Sequence, residues 1–226
     1  GDGIRRIDLK SLNNVRIKNE RLLCFYNSII YNGKVLSNDT YKDESKVKYY
    51  DVNELIAAKE GEAPAVTELD IIQKQKINFV LAKDGNVYTL ESADNGCNIV
   101  KIKNDFTLEK VFANFQPAKG PYHSSPTIGM VASETENIIY LVSTDGAIYK
   151  YILGDSDSLK APFIAAESGV SITAPLQLNQ QSGELYVTYT EERKDESKIV
   201  VYSKDGKVLH TVDCGESVPS QILFNN

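Results

Sequence analysis

Short runs in which apolar and polar residues alternate recur along the whole chain, and only residues 51–60 read as helical instead. Alternation over a few residues turns one face of a segment to a core and the other outward, which is the mark of a strand. Four such runs follow a proline: Pro64 before Thr67-Glu68-Leu69-Asp70-Ile71, Pro126 before Ile128-Gly129-Met130-Val131, Pro175 before Leu176-Gln177-Leu178, and Pro219 before Gln221-Ile222-Leu223-Phe224. Their spacings are 62, 49 and 44 residues (64 to 126, 126 to 175, 175 to 219). Proline fits the first residue of a strand, where no ladder donor is lost, so each one marks the start of an equivalent strand. Further strands are expected over 77–82 and 87–91, 138–143 and 148–153, and 185–190 and 199–203. The turns joining them carry Asp84-Gly85, Asp145-Gly146 and Asp205-Gly206, with Asn32-Gly33 earlier, and Asx-Gly supplies the positive φ of tight antiparallel hairpins.

The segment Lys42-Asp43-Glu44-Ser45-Lys46 recurs as Lys194-Asp195-Glu196-Ser197-Lys198, each copy followed by a Val/Ile- and Tyr-rich strand. The copies lie 152 residues apart (194 − 42), close to three units of 51, and both fall where a hairpin between second and third strands is expected. The pattern predicts an all-β chain, a β-propeller of about five blades of short antiparallel strands, with four blades or part of a larger propeller as alternatives. The blades run over 22–63, 64–121, 126–169 and 173–216 of a single domain covering 1–226. The tail after Pro219 is then a lone inner strand, and residues 4–20 bring outer strands to it. The last blade is closed by strands from both termini, because an open ring would leave sheet edges exposed.

Composition narrows the partners. Thirteen tyrosines and no tryptophan accompany Val, Ile, Leu and Thr in strand-like runs. A net charge of −6 withholds the basic field that generic nucleic-acid binding requires. No run reaches the ~18 apolar residues of a membrane-crossing helix. Cys24, Cys97 and Cys214 are too few and too scattered for a disulfide framework, although one bridge is possible, and Cys24 reads as a small buried hydrophobe. Gly1, with no Met before it, reads as a tag-cleavage scar downstream of removed sequence.

The run Ile139-Tyr140-Leu141-Val142-Ser143-Thr144-Asp145-Gly146-Ala147-Ile148-Tyr149-Lys150-Tyr151 resembles the blade signature of secreted propeller lipoproteins of Bacteroides-type bacteria, PKD-like ones included. Leu185-Tyr186-Val187-Thr188, the run from Lys198 to Lys207 and the tail Ile222-Leu223-Phe224 look like the end of the same module, so the resemblance covers about the second half of the chain. It implies an extracellular, cell-surface or periplasmic protein, lipid-anchored through a removed segment and of undefined binding function.

Chemistry-bearing patterns are sparse. The loop Lys119-Gly120-Pro121-Tyr122-His123-Ser124-Ser125 brings an aromatic ring, an imidazole and hydroxyls to one end of the expected ring. Tyr122 can stack on a sugar or peptide, and His123 can donate, accept or act as a base. Ser171 and Ser217 lie in corresponding loops, so Tyr122, His123, Ser124, Ser171 and Ser217 are the candidate ligand-binding residues. No catalytic set, metal site or cofactor is assigned. His210 alternates with apolar residues as a strand histidine does, and the Asp94-Asn95-Gly96 and Asp155-Ser156-Asp157-Ser158 turns lack the graded ligand series of a calcium loop. The preferred expectation is a non-enzymatic binding or scaffold propeller for a glycan or protein. The alternatives are a propeller-type glycan hydrolase or lyase pairing His123 with a carboxylate from another blade, and a structural spacer in a larger surface assembly.

Overall fold

A computed structural model of the chain describes residues 28–38, 45–74, 78–117, 129–191, 196–219 and 221–224, together with the strand pairing of 4–7 and 14–17. The chain divides into two compact units, Gly1–Lys76 and Ile77–Asn226. Among the described residues no helix is long and apolar enough to cross a membrane.

In the first unit, β1 (Ile4–Ile7) pairs antiparallel with β2 (Asn14–Ile17) as a two-stranded ribbon. A four-stranded antiparallel sheet follows, in the order β3 (Ile29–Tyr31), β4 (Lys34–Ser37), β5 (Ser45–Asp51) and β6 (Thr67–Gln73). Asn32 and Gly33, with φ of 45° and 72°, form the two-residue turn between β3 and β4, as the Asn-Gly pair predicts. The helical signal at 51–60 becomes α1 (Val52–Ala57), capped by Asp51, whose carboxylate accepts from the backbone N–H of Asn53 at 2.7 Å and that of Glu54. The helix returns the chain so that β6 runs beside β5, with Lys48 opposite Glu68 and their side chains paired at 3.1 Å. This corrects the expected boundary at 64, because the strand after Pro64 is the outer strand of this sheet and not the first strand of the next. A missing donor is as harmless on an outer edge as at a strand's start, so proline alone cannot order the strands.

The second unit holds three sheets. The second sheet comprises β7 (Val80–Leu81), β8 (Val87–Ala93), β9 (Gly96–Ile102) and β10 (Leu108–Phe115) in sequential order. The third contains β11 (Met130–Ala132), β12 (Ile138–Val142) and β13 (Ile148–Ile152), and beside β13 an isolated bridge from Ile148 to Ile164 stands where a fourth strand would run. In the fourth sheet, β14 (Val170–Ile172) and β15 (Gln177–Leu178) both pair with β16 (Leu185–Glu191), followed by β17 (Ser197–Tyr202) and β18 (Val208–Gly215). The two Lys-Asp-Glu-Ser-Lys copies end in equivalent places: Ser45 opens β5 and Ser197 opens β17, each the third strand of its sheet and three sheets apart in chain order.

The Asp-Gly turns share one hydrogen-bond pattern. In each, the glycine N–H donates three residues back (Gly85 to Ala82, Gly146 to Ser143, Gly206 to Ser203), with φ between 76° and 85°. They nevertheless join different strand pairs, β7–β8, β12–β13 and β17–β18. The turn chemistry makes a hairpin without specifying which one. Residues 221–224, expected as an inner strand, have no ladder partner among the described residues. They lie on the fourth sheet, where Ile222 N–H donates to Gln177 Oε1 at 2.7 Å and the Phe224 ring meets Tyr186 edge-on at 5.0 Å. Cys97 is free and buried, and Cys214 is free and half-buried; Cys24 lies outside the described residues.

Packing in this unit turns on β12. Ile139 and Leu141 join one core cluster with Val80, Tyr88, Leu90 and Ile99 of the second sheet, whereas Tyr140 and Val142 join another with Leu185, Val187, Tyr189 and Val200 of the fourth. The period of two in a strand therefore sorts neighbouring residues into two cores. Two side-chain amides fasten the edges of these layers to β11: Asn78 donates to Met130 O at 2.7 Å and accepts from Met130 N, and Gln180 donates to Ala132 O at 3.0 Å and accepts from Glu134 N at 2.8 Å.

Leu141→Ala removes a fully buried side chain, so urea denaturation is expected to show a loss of ~2–5 kcal/mol. Val208→Ala, on an exposed position of β18, is expected to stay within about 0.5 kcal/mol of the parent. Equal losses at the two positions would contradict this core.

Candidate functional site

Tyr122, His123 and Ser124 lie outside the described residues. The connection that carries them leaves β10 from a fastened base: Thr144 N–H donates to Gln116 O at 2.9 Å, and Gln116 Nε2 donates to Asn95 O at 2.5 Å. Ser171 and Ser217 sit at one end of the fourth sheet but are not brought together. Ser171 is opposite Thr190, Thr190 opposite Ser197 and Ser197 opposite Gly215, so two strands intervene. Ser197 Oγ donates to Ser217 O, which ties down the end of β18. His210 is exposed on β18 opposite Val201. Asp155 caps the short 3-10 turn Ser156–Leu159, and Asp94-Asn95 forms the β8–β9 hairpin. Among the described residues no three His, Cys, Asp or Glu side chains are grouped to hold a metal.

The arrangement that sequence reasoning missed lies at the opposite end of the second and third sheets. A cleft of about 420 Å³ opens there, lined on one side by Asp84, Tyr88, Lys101, Glu109 and Lys110 and on the other by Asn137, Tyr151, Leu153 and Ser156. Both tyrosine rings belong to the core between these sheets, so the apolar body of each is buried while its hydroxyl reaches the polar end. Tyr88 OH donates to Asp84 Oδ2 at 2.8 Å, and Lys101 Nζ lies 3.0 Å from the same oxygen. Asp84 Oδ1 accepts from Asn86 N–H at 3.1 Å, so one carboxylate closes the hairpin turn and anchors the cleft floor. Tyr151 OH accepts from Gly154 N–H at 3.4 Å, Glu109 pairs with Lys103 at 3.0 Å and Lys110 pairs with Glu91 at 3.2 Å. A detectable signal was present in β9, where Lys101 stands between buried Val100 and Ile102.

Burial pushes the Asp84 carboxyl up, but the hydrogen bonds from Lys101, Asn86 and Tyr88 outweigh it and hold the group below its usual value. The Lys103 ammonium holds Glu109 down as well. Burial, then the hydrogen bond to Asp84, pushes the Tyr88 phenol up. Burial also raises Tyr151, and it lifts the Cys97 thiol to about 11, which keeps that sulfur protonated.

The chain is all-β, and within the second unit the antiparallel sheets pack face to face in chain order, as in a propeller. The sequence model of the domain of unknown function DUF5074 matches residues 1–225, and the chain belongs to that family. No curated protein sequence matches it. Among solved structures, puromycin hydrolase is similar with a TM-score of 0.62 over 94% of this chain at 14% identity. Prolyl oligopeptidase B from Galerina marginata is similar with a TM-score of 0.53 over 92% at 12% identity. The chain spans only 32% and 28% of those proteins' lengths, and at such identities the likeness carries the propeller-like fold alone.

The lowered Asp84 carboxyl stabilises the fold above its unfolded value of 3.8, and that contribution disappears as pH falls through the lower folded value. The stability difference between the parent and Asp84→Asn, measured by denaturation, is therefore expected at neutral pH and to close below pH 3.8. The raised Tyr88 phenol has the opposite window: its contribution is complete below 10.0 and declines as pH rises above that value. A gap between the parent and Asp84→Asn that widens in acid would contradict the assigned ion pair.

Proposed function

We propose that this chain is a non-enzymatic binding domain that holds a glycan or protein ligand in the cleft between its second and third sheets. The observation that carries this reading is that the ionisable groups of the cleft are already engaged, Asp84 with Lys101 and Tyr88 and Glu109 with Lys103. Asp84 and Glu109 are held ionised and Tyr88 is held protonated, each moved away from neutrality. An efficient general acid or base has its pKa near the working pH, so these groups suit holding a ligand better than transferring its protons. A cleft of about 420 Å³ falls within the usual range of ligand sites.

The ring behind this reading has about five sheets. Residues 221–224 take the place of a first strand there, since Ile222 is tied to Gln177 by a side-chain amide much as β11 is tied by Asn78 and Gln180. The loop of Tyr122, His123 and Ser124, which follows the fastened base at Gln116, together with Ser171 and Ser217, is the second contact proposed for the ligand. The likeness of 139–151 to secreted propeller lipoproteins supports placement at the cell surface or in the periplasm.

Lys101→Ala and Glu109→Ala test the main reading on a panel of glycans and surface proteins followed by calorimetry. Each is expected to weaken binding of the captured ligand about tenfold with no conversion of that ligand; Glu109→Ala keeps the parent's thermal transition, whereas Lys101→Ala still folds but melts lower because Asp84 loses its partner. Ligands that bind equally to parent and both variants would remove the cleft from the account.

A further inference from the structure

We infer that the ligand of this cleft is a neutral saccharide, an assignment that rests on the binding reading above and narrows it. Every charged side chain lining the space already has an opposite partner: Asp84 with Lys101 at 3.0 Å, Glu109 with Lys103 at 3.0 Å and Lys110 with Glu91 at 3.2 Å. A ligand with net charge meets the partner's opposing field or must break a pair. Breaking the Asp84–Lys101 pair is the most expensive course, because both side chains are less than a quarter exposed and Asp84 also holds Tyr88 and the hairpin turn. An anion faces in addition a chain of net charge −6.

The hydrogen-bonding capacity left over is of both kinds. An ammonium has three donors, so Lys101 and Lys110 keep N–H groups beyond their ion pairs, and a carboxylate such as Glu109 keeps lone pairs beyond its one cation. Asn137 and Ser156, on the facing wall, can each donate and accept. A sugar hydroxyl likewise donates and accepts, so a ring bearing several of them can bridge the two walls without disturbing an ion pair. Val111 and Leu153 supply apolar surface for the C–H face of such a ring. The Tyr88 and Tyr151 rings are only 2% exposed, so selectivity comes from these hydrogen bonds and not from an aromatic stacking platform.

The test is calorimetric titration of the full chain with neutral malto-, xylo-, manno- and chito-oligosaccharides, acidic oligogalacturonides of matched length, and peptides. Parent, Glu109→Gln and Asn137→Ala are compared at about 50 and about 500 mM salt. Exposed charges are largely screened at the higher salt, so a neutral oligosaccharide is expected to bind with an affinity that changes less than about twofold between the two conditions. Both variants are expected to weaken it at least about fivefold while keeping the parent's thermal transition, and the acidic oligosaccharides to bind at least about tenfold less tightly. Binding of an acidic oligosaccharide or a peptide that both variants weaken and salt suppresses, with the neutral sugars inert, overturns this assignment and leaves the binding reading standing. No response of any ligand to either variant overturns both.

Discussion

Strand β12 is buried on both faces, and the second unit depends on that constraint. A strand presents successive side chains to opposite sides, so Ile139 and Leu141 meet the second sheet while Tyr140 and Val142 meet the fourth. The third sheet thus has no solvent face at its centre, and the sheets on either side pack against it as layers. A slip of one residue would exchange the two sets, driving the Tyr140 hydroxyl into the core beside Leu90 and Ile99. The amide clamps of Asn78 and Gln180 oppose such a slip, because both grip backbone groups of β11 and its following turn, and β11 is the register partner of β12.

The cleft is a product of the same packing. Tyr88 and Tyr151 are core residues of the cluster on one face of β12, and their hydroxyls emerge where the second and third sheets part. Tyr88 is therefore structural along its ring and part of the cleft at its oxygen, where Asp84 and Lys101 meet it. The charges at the cleft are set by contacts internal to the second sheet, on the β7–β8 turn, β8, β9 and β10, and the third sheet contributes mainly neutral groups. Contacts of this kind fix the side chains around the cleft in advance, which lowers the ordering that the proposed binding would require.

Much of the architecture was legible in the chain because it is written in local terms. Alternation located the strands, Asx-Gly located the turns, and the twin Lys-Asp-Glu-Ser-Lys segments correctly measured three sheets, with Ser45 and Ser197 opening equivalent strands. Strand order was less legible, because Pro64 and the Asp-Gly pairs mark starts and turns without saying which strand of a sheet they serve. The cleft was missed because its parts are far apart in sequence. Asp84 and Lys101 meet within the second sheet, but Tyr151 joins them at the cleft only after the third sheet has packed on it, whereas the loop of Tyr122 and His123 sets unusual residue types side by side in the sequence. The single local clue was a lysine next to the end of a mostly buried strand, Lys101 in β9.

Native-state hydrogen exchange across Ile77–Asn226 tests the central claim most directly, since a strand enclosed by two cores can exchange only when both open. The account predicts that the amides of β12 are the slowest of this unit and exchange with the free energy of its global unfolding, and that β18, packed on β17 alone among the described strands, exchanges far sooner. Exchange of β12 by local opening, at rates like those of β18, would contradict it.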